Sequence, residues 1–170
     1  MNRIVIIGSP GSGKSTLAFK LSKILDIEIY HMDKLFWKAN WESISENELE
    51  VKLEEILIND KWIIDGNYRK TLEMRIKKAD TIILLDISKY KCIYNVFKRR
   101  FNKNRIDIAE GCNEKFDIEF LKFIKYIFNF KKNNQKRIND LINGYRNDKK
   151  IYIMKNSYEI NEFAESLVVK

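Results

Sequence analysis

The run "GSPGSGKST" at residues 8–16 sets Gly8, Gly13, Lys14 and Ser15 at the spacing G-x-x-x-x-G-K-[ST]. Glycines in such a run let backbone N–H groups close around phosphate oxygens, where a side chain would collide. A helix opening at Lys14 adds its positive end. Lys14 then reaches the β and γ phosphates, and the Ser15 hydroxyl ligates Mg2+. The expected ATP-binding segment is therefore Gly8, Ser9, Pro10, Gly11, Ser12, Gly13, Lys14, Ser15 and Thr16. A glycine-rich turn before an ordinary helix would carry similar letters. Here the run follows an apolar strand pattern and opens a helical one, which is the context that phosphate binding needs.

A metal-bound triphosphate also calls for a carboxylate at the end of a neighbouring strand. Two residues compete: Asp65 ends "WIID" and Asp86 ends "TIILLD". Length of the apolar run favours Asp86, while the company of Gly66 and Arg69 favours Asp65. Either aspartate also fits a plain role capping the next turn. His31 is the single histidine, and a lone histidine near a strand end is expected to be structural. Phe36, Trp37 and Trp41 are of a type to wall a base or sugar, or equally to pack beneath the next helix.

These residues must be held by elements, and the patterning supplies them. Short apolar runs predict strands at 3–8, 27–30, 62–65, 81–86 and 150–154. Helical spacing predicts helices at 14–25, 70–78, 89–100, 117–130, 134–146 and 159–167, with Ser45 and Glu48 forming a capping box ahead of a further one. Strands alternating with helices imply crossovers and a mostly parallel sheet, hence an α/β fold in a single domain over 1–170. The rhythm breaks only at 101–146, where two helices are expected before the last strand.

Composition narrows the classes further. An apolar share of 45% and a charged share of 33% describe a globular chain. No apolar run approaches the roughly 18 residues of a membrane span, and "IVII" is too short for the core of a signal peptide. Cys92 and Cys112 show no metal spacing, so free thiols in a reducing cytoplasm are expected. The net charge is +8, and residues 98–150, with 15 Lys+Arg against 7 Asp+Glu, hold all of the surplus. Such a segment suits a polyanion, either nucleotide phosphates or nucleic acid, though solvated helix faces would also account for it. No helix-turn-helix, zinc-finger or aromatic nucleic-acid platform accompanies the charge.

The phosphate loop, "DGNYR" at 65–69 and the basic stretch 98–105 together resemble the adenylate kinase group of nucleoside and nucleotide kinases. The runs "YHMDKLFWKANW" (30–41), "WIIDGNYRKTLEMRIKKADTIILLD" (62–86), "FKRRF" (97–101) and "AEGCNEKFDIEFLKFIKYIFNF" (109–130) are most similar to a bacterial subgroup, the DNA topology modulation proteins. The resemblance implies a P-loop NTPase three-layer sandwich with a five-stranded parallel sheet of order 2-3-1-4-5 and a helical lid at 101–146. It implies that Asp65 serves the magnesium shell, through water, and that Arg69 holds the acceptor's phosphate. Tyr68 stands where that group usually has proline. Asp33 falls where such kinases place acceptor-binding residues, as a ligand or base for an acceptor hydroxyl; a turn aspartate is the alternative. Arg99, Arg100 and Arg105 become lid charges that close on the transferred phosphoryl group. The implied activity is ATP- and Mg2+-dependent phosphoryl transfer to a small nucleoside- or nucleotide-like acceptor. Two alternatives stay open: an ATP-binding regulatory protein acting on DNA topology through 98–150, and a bare ATPase.

Overall fold

The computed structural model of the chain describes residues 1–100 and 117–168. Arg105, Cys112 and the first part of the expected lid, 101–116, lie outside the described residues. Five parallel strands form one sheet in the order β2-β3-β1-β4-β5. They are β1 (Arg3–Gly8), β2 (Ile29–His31), β3 (Trp62–Asp65), β4 (Thr81–Leu85) and β5 (Lys150–Met154). The three central strands read as unbroken apolar runs because helices cover both faces of a parallel sheet. Ile4, Val5, Ile6 and Ile7 accordingly have no exposed surface.

The helices are α1 (Lys14–Leu25), α2 (Met32–Phe36), α3 (Glu46–Leu57), α4 (Leu72–Lys78), α5 (Lys89–Arg100), α6 (Ile118–Asn143) and α7 (Ser157–Ser166). On one face of the sheet, Leu49 and Leu53 of α3, Ile76 of α4 and Ile138 of α6 pack on Val5, Ile7 and Ile64. On the other, Leu17 and Leu21 of α1, Val96 of α5 and Ala164 of α7 pack on Ile4, Ile6 and Ile63. The result is the three-layer α/β sandwich of P-loop proteins. At the start of α3, Glu48 N–H donates to Ser45 Oγ while Glu48 Oε2 accepts from Ser45 N–H, so the capping box forms with both bonds.

The sequence pattern errs most on α6. Two helices were expected, at 117–130 and 134–146, and one helix of 26 residues runs instead. The polar stretch 131–133 contains neither glycine nor proline, so nothing ends the helix there. Its buried stripe passes straight through, by way of Ile127, Phe130, Asn134, Ile138 and Ile142. Spacing of three and four residues keeps them on one side. Elsewhere the differences are small. The strand expected at 27–30 is Ile29–His31. The last helix starts earlier than 159 because the Asn156 side chain accepts from Glu159 N–H and caps it. No helix among the described residues is long and apolar enough to cross a membrane.

Candidate functional site

In a parallel sheet the helices that follow the strands point their N-termini at one edge, so ligands gather at the carboxyl ends. β1 ends there at Gly8 and β3 at Asp65. A cleft of about 1760 Å³ opens over this edge. Its walls carry the phosphate loop, Asp33, Asp65, Arg69, Arg99 and the inward side of α6.

The loop is tight because the backbone behind it is close. A Cβ on Gly11 would stand 2.3 Å from the Cys92 carbonyl oxygen, and Gly11 has φ +77, so this position takes glycine. Ser12 N–H donates to Ser9 C=O at 3.1 Å and closes the turn. Gly13, in the left-handed region, caps α1 with no side-chain bond. A helix that starts on a glycine, with no side-chain cap from that residue, is suited to an anion at its N-terminal end. Lys14 folds back over the loop, its Nζ donating to Ser9 C=O at 3.1 Å. Burial pulls its pKa below 10.5, opposed by the carboxylates of Asp65 and Asp33 and helped by Arg99. A lysine already bent over the loop and short of solvent is suited to exchange one carbonyl for phosphate oxygens.

Asp65 is buried, and its Oδ1 lies 2.7 Å from His31 Nδ1. The pairing follows from the sheet, since His31 and Asp65 are register partners at the ends of β2 and β3. The rival aspartate faces elsewhere: Asp86 pairs with Lys131 of α6 at 2.5 Å and is not part of the cleft wall. Sequence reasoning set His31 aside as structural, and the structure makes it the direct partner of the site's buried carboxylate.

Beyond Asp65 the chain turns sharply. A Cβ on Gly66 would meet Met32 Cβ at 2.6 Å, and φ there is +129, so the turn that follows the strand depends on glycine. Asn67 binds Gly8 with both ends of its amide. The Tyr68 hydroxyl donates to Asp33 Oδ1 at 3.0 Å. Burial, and then the nearby Asp33 carboxylate, push the Tyr68 phenol well above its ordinary pKa, so it stays a donor. Arg69 points its exposed side chain to the cleft, and its carbonyl accepts from Arg137 Nη2 of α6 at 3.3 Å.

Beneath the turn lies Arg75, fully buried. Its Nη1 donates to Gly66 C=O at 2.8 Å, its Nη2 to Asn67 C=O at 2.5 Å and Tyr68 C=O at 3.2 Å, and its Nε to Thr71 C=O at 3.3 Å. Burial lowers its pKa, and the Asp65 carboxylate resists that. An arginine between Leu72 and Ile76, on the apolar stripe of a short helix, was a signal in the sequence that passed unread.

Beside this turn the aromatic residues form a continuous edge-to-face row. Phe36 meets Trp37 at 4.9 Å and Tyr68 at 5.1 Å, and Trp37 meets Trp41 at 5.6 Å. Helix α6 presents Tyr126, Asn134 and Arg137 to the same cleft. None of these three is singled out by the sequence, which shows the segment only as two helices within an expected lid. At the other end Arg99 lies over the Phe123 ring, 6.0 Å from its centre. Arg100 closes α5. Among the described residues no cluster of three or more His, Cys, Asp or Glu could hold a metal by itself. Ser15 and Asp65, a hydroxyl and a carboxylate, both lie on the cleft wall. That small donor set fits Mg2+, which keeps waters and takes its other ligands from substrate phosphates.

No protein-family model matches the chain, and no curated protein sequence matches it. Solved structures do. A shikimate kinase from Acinetobacter baumannii in complex with shikimate has a TM-score of 0.59 at 14% identity, over 99% of this chain and 91% of that one. A shikimate kinase from Bacteroides thetaiotaomicron has a TM-score of 0.56 at 13% identity, over 98% and 95%. A protein from Chloroflexus aurantiacus described as a kinase gives 0.56 at 13%, over 96% and 95%. At such identities the likeness is one of fold, and the fold is that of P-loop kinases.

Proposed function

We propose that the chain is a kinase that transfers the γ-phosphoryl group of ATP to a hydroxyl or phosphate of a small nucleoside- or nucleotide-like acceptor. One observation carries this reading. The phosphate loop forms one wall of a single cleft, and Asp33, Asp65, Arg69 and Arg137 line the rest of it. A bare ATPase has no use for the second wall.

In this reading the loop's N–H groups and Lys14 bind the β and γ phosphates and fix the donor. Ser15 and, through water, Asp65 would hold Mg2+, which neutralises charge on the phosphate oxygens. His31 keeps the Asp65 carboxylate in one orientation. Asp33, held by the Tyr68 hydroxyl, accepts a hydrogen bond from the acceptor's hydroxyl and aims its oxygen, while the Phe36–Trp37–Trp41 row lies against the acceptor's ring. Arg69 and Arg137 bind its anionic group. Arg99, Arg100 and Arg105, with segment 101–146 as a lid, supply positive charge and exclude water as the phosphoryl group moves. Rate then comes from positioning and charge neutralisation, with no covalent intermediate on the protein.

Within the kinase fold we place the chain beside the DNA topology modulation proteins, on the motif runs quoted above. A direct role on DNA draws less support from the structure. Several cations of the basic segment are engaged locally: Lys131 with Asp86, Lys122 with Glu119, Lys149 with the carbonyls of Lys77 and Ala79, and Arg137 at Arg69.

The test is ATP consumption with Mg2+ over nucleosides, nucleotides and sugar-like alcohols, with Lys14→Ala as control. At least one acceptor should raise turnover well above the acceptor-free rate in the wild type and not in the variant. If none does, the kinase reading is wrong.

A further inference from the structure

Asn67 belongs to neither the phosphate loop nor the acceptor wall in the reading above, yet its amide binds the loop's first glycine twice. Gly8 N–H donates to Asn67 Oδ1 at 3.2 Å, and Asn67 Nδ2 donates to Gly8 C=O at 2.8 Å. The sheet explains why a side chain is needed there. In the parallel β1–β3 ladder Ile6 faces Asp65, and Ile6 C=O accepts from Gly66 N–H at 3.1 Å. One step further, the same pattern would take Gly8 N–H to Gly66 C=O, and Gly8 C=O would accept the N–H of residue 68. Gly66 at φ +129 turns the chain out of line, and its carbonyl accepts Arg75 Nη1 instead. Gly8 is thus left facing a strand that has ended. The Asn67 side chain, an amide like the peptide group itself, supplies the missing donor and acceptor together.

We propose that Asn67 is a positioning residue for the phosphate loop. It acts as a substitute rung that pins Gly8 and so sets the direction in which residues 9–13 curl before nucleotide arrives. The proposal rests on the nucleotide-binding half of the function argued above and on no property of the acceptor. The residue type follows from the bonds made. Aspartate has the same shape but, when ionised, only acceptors, and alanine has neither group. The rung is itself anchored, since Arg75 holds the carbonyls of residues 66–68 from below. The next residue, Tyr68, binds Asp33. One short turn therefore ties the donor loop to the acceptor wall, with Asn67 as its donor-side contact.

The experiment measures Mg-ADP affinity by titration calorimetry for the wild type, Asn67→Ala and Asn67→Asp. Melting temperature without nucleotide, and hydrogen exchange of the segment 1–13, are recorded beside it. An unpinned loop must be ordered when nucleotide binds, and that ordering weakens affinity. Asn67→Ala should bind Mg-ADP about tenfold more weakly, a loss of about 1.4 kcal/mol. Asn67→Asp should bind more weakly still, because a carboxylate oxygen then opposes Gly8 C=O and adds negative charge beside the phosphates. Exchange at residues 8–13 should rise in both variants without nucleotide. A variant that folds, melts lower and binds Mg-ADP as the wild type does would overturn the proposal, since the role would then be structural only. If neither variant folds, Asn67 belongs to the fold alone and the proposal is equally overturned. A wild type that fails to bind Mg-ADP sinks the nucleotide reading itself, and that result is distinct from a difference among variants.

Discussion

Replacing Arg75 by methionine tests whether a buried cation builds the turn that carries Asp65 and Arg69. The wild-type guanidinium has no exposed surface and makes four hydrogen bonds, three of them to the successive carbonyls of residues 66–68. Methionine fills much of the volume and donates nothing. Each buried acceptor left unsatisfied costs about 1–3 kcal/mol. Gly66, Asn67 and Tyr68 are half-buried, so water can reach part of the vacated site, and the low end of that range applies. Relief of the burial cost of the charge offsets a further share. The net loss expected for Arg75→Met is about 3 kcal/mol, a large part of the roughly 5–15 kcal/mol that holds a typical domain together. Arg75→Lys keeps the charge but reaches one carbonyl at most, and should recover about 1 kcal/mol of that. Urea denaturation followed by circular dichroism reads both values from the midpoint and slope. A methionine variant within 1 kcal/mol of the wild type would show that the turn stands without its arginine, and the reasoning would fail.

Other substitutions probe separate parts of the site. Burial lowers the Lys14 pKa below 10.5, so between that lowered value and 10.5 the unfolded chain holds more protons than the folded one. Wild-type stability at this residue therefore rises with pH across that window, and the charged form is a burden below it. Lys14→Met should melt higher than the wild type near neutral pH and lose that rise in alkali, while Mg-ADP binding disappears; melting curves taken up to pH 10.5 check both signs. Asp65→Asn should fold and lose Mg2+-dependent turnover by about a hundredfold, the scale seen when one preorganised electrostatic group is removed. Turnover within threefold of the wild type would remove Asp65 from the metal's surroundings. Ser45→Ala deletes the capping box of α3, whose residues do not line the cleft, and should cost about 1 kcal/mol in urea with no change in Mg-ADP affinity.

The strands and the phosphate loop were legible because both obey local rules. Buried parallel strands are apolar throughout, and the loop's glycine spacing has few other uses. The long helix α6 was misread because polar residues at 131–133 interrupt composition without interrupting the buried stripe from Ile127 to Ile142. What escaped the sequence were partnerships set by register and turn geometry. His31 meets Asp65 because two strands that are far apart in the chain end side by side. Asn67 meets Gly8 across 59 residues because β3 stops before β1 does. Arg137 reaches the cleft because α6 runs along it, and no motif announces that. Arg75 alone left a trace, a charge at a position where Leu72 and Ile76 called for an apolar residue.

The central claim is that the second wall of the cleft receives a phosphoryl group. The most direct measurement follows the label from [γ-32P]ATP through the wild type and Arg69→Ala, with each acceptor of the panel, and separates inorganic phosphate from labelled product. The account predicts an acceptor-borne label formed by the wild type, strongly reduced in Arg69→Ala, with nucleotide binding retained. Label recovered only as inorganic phosphate, at the same rate with and without every acceptor, would contradict it and leave a hydrolase.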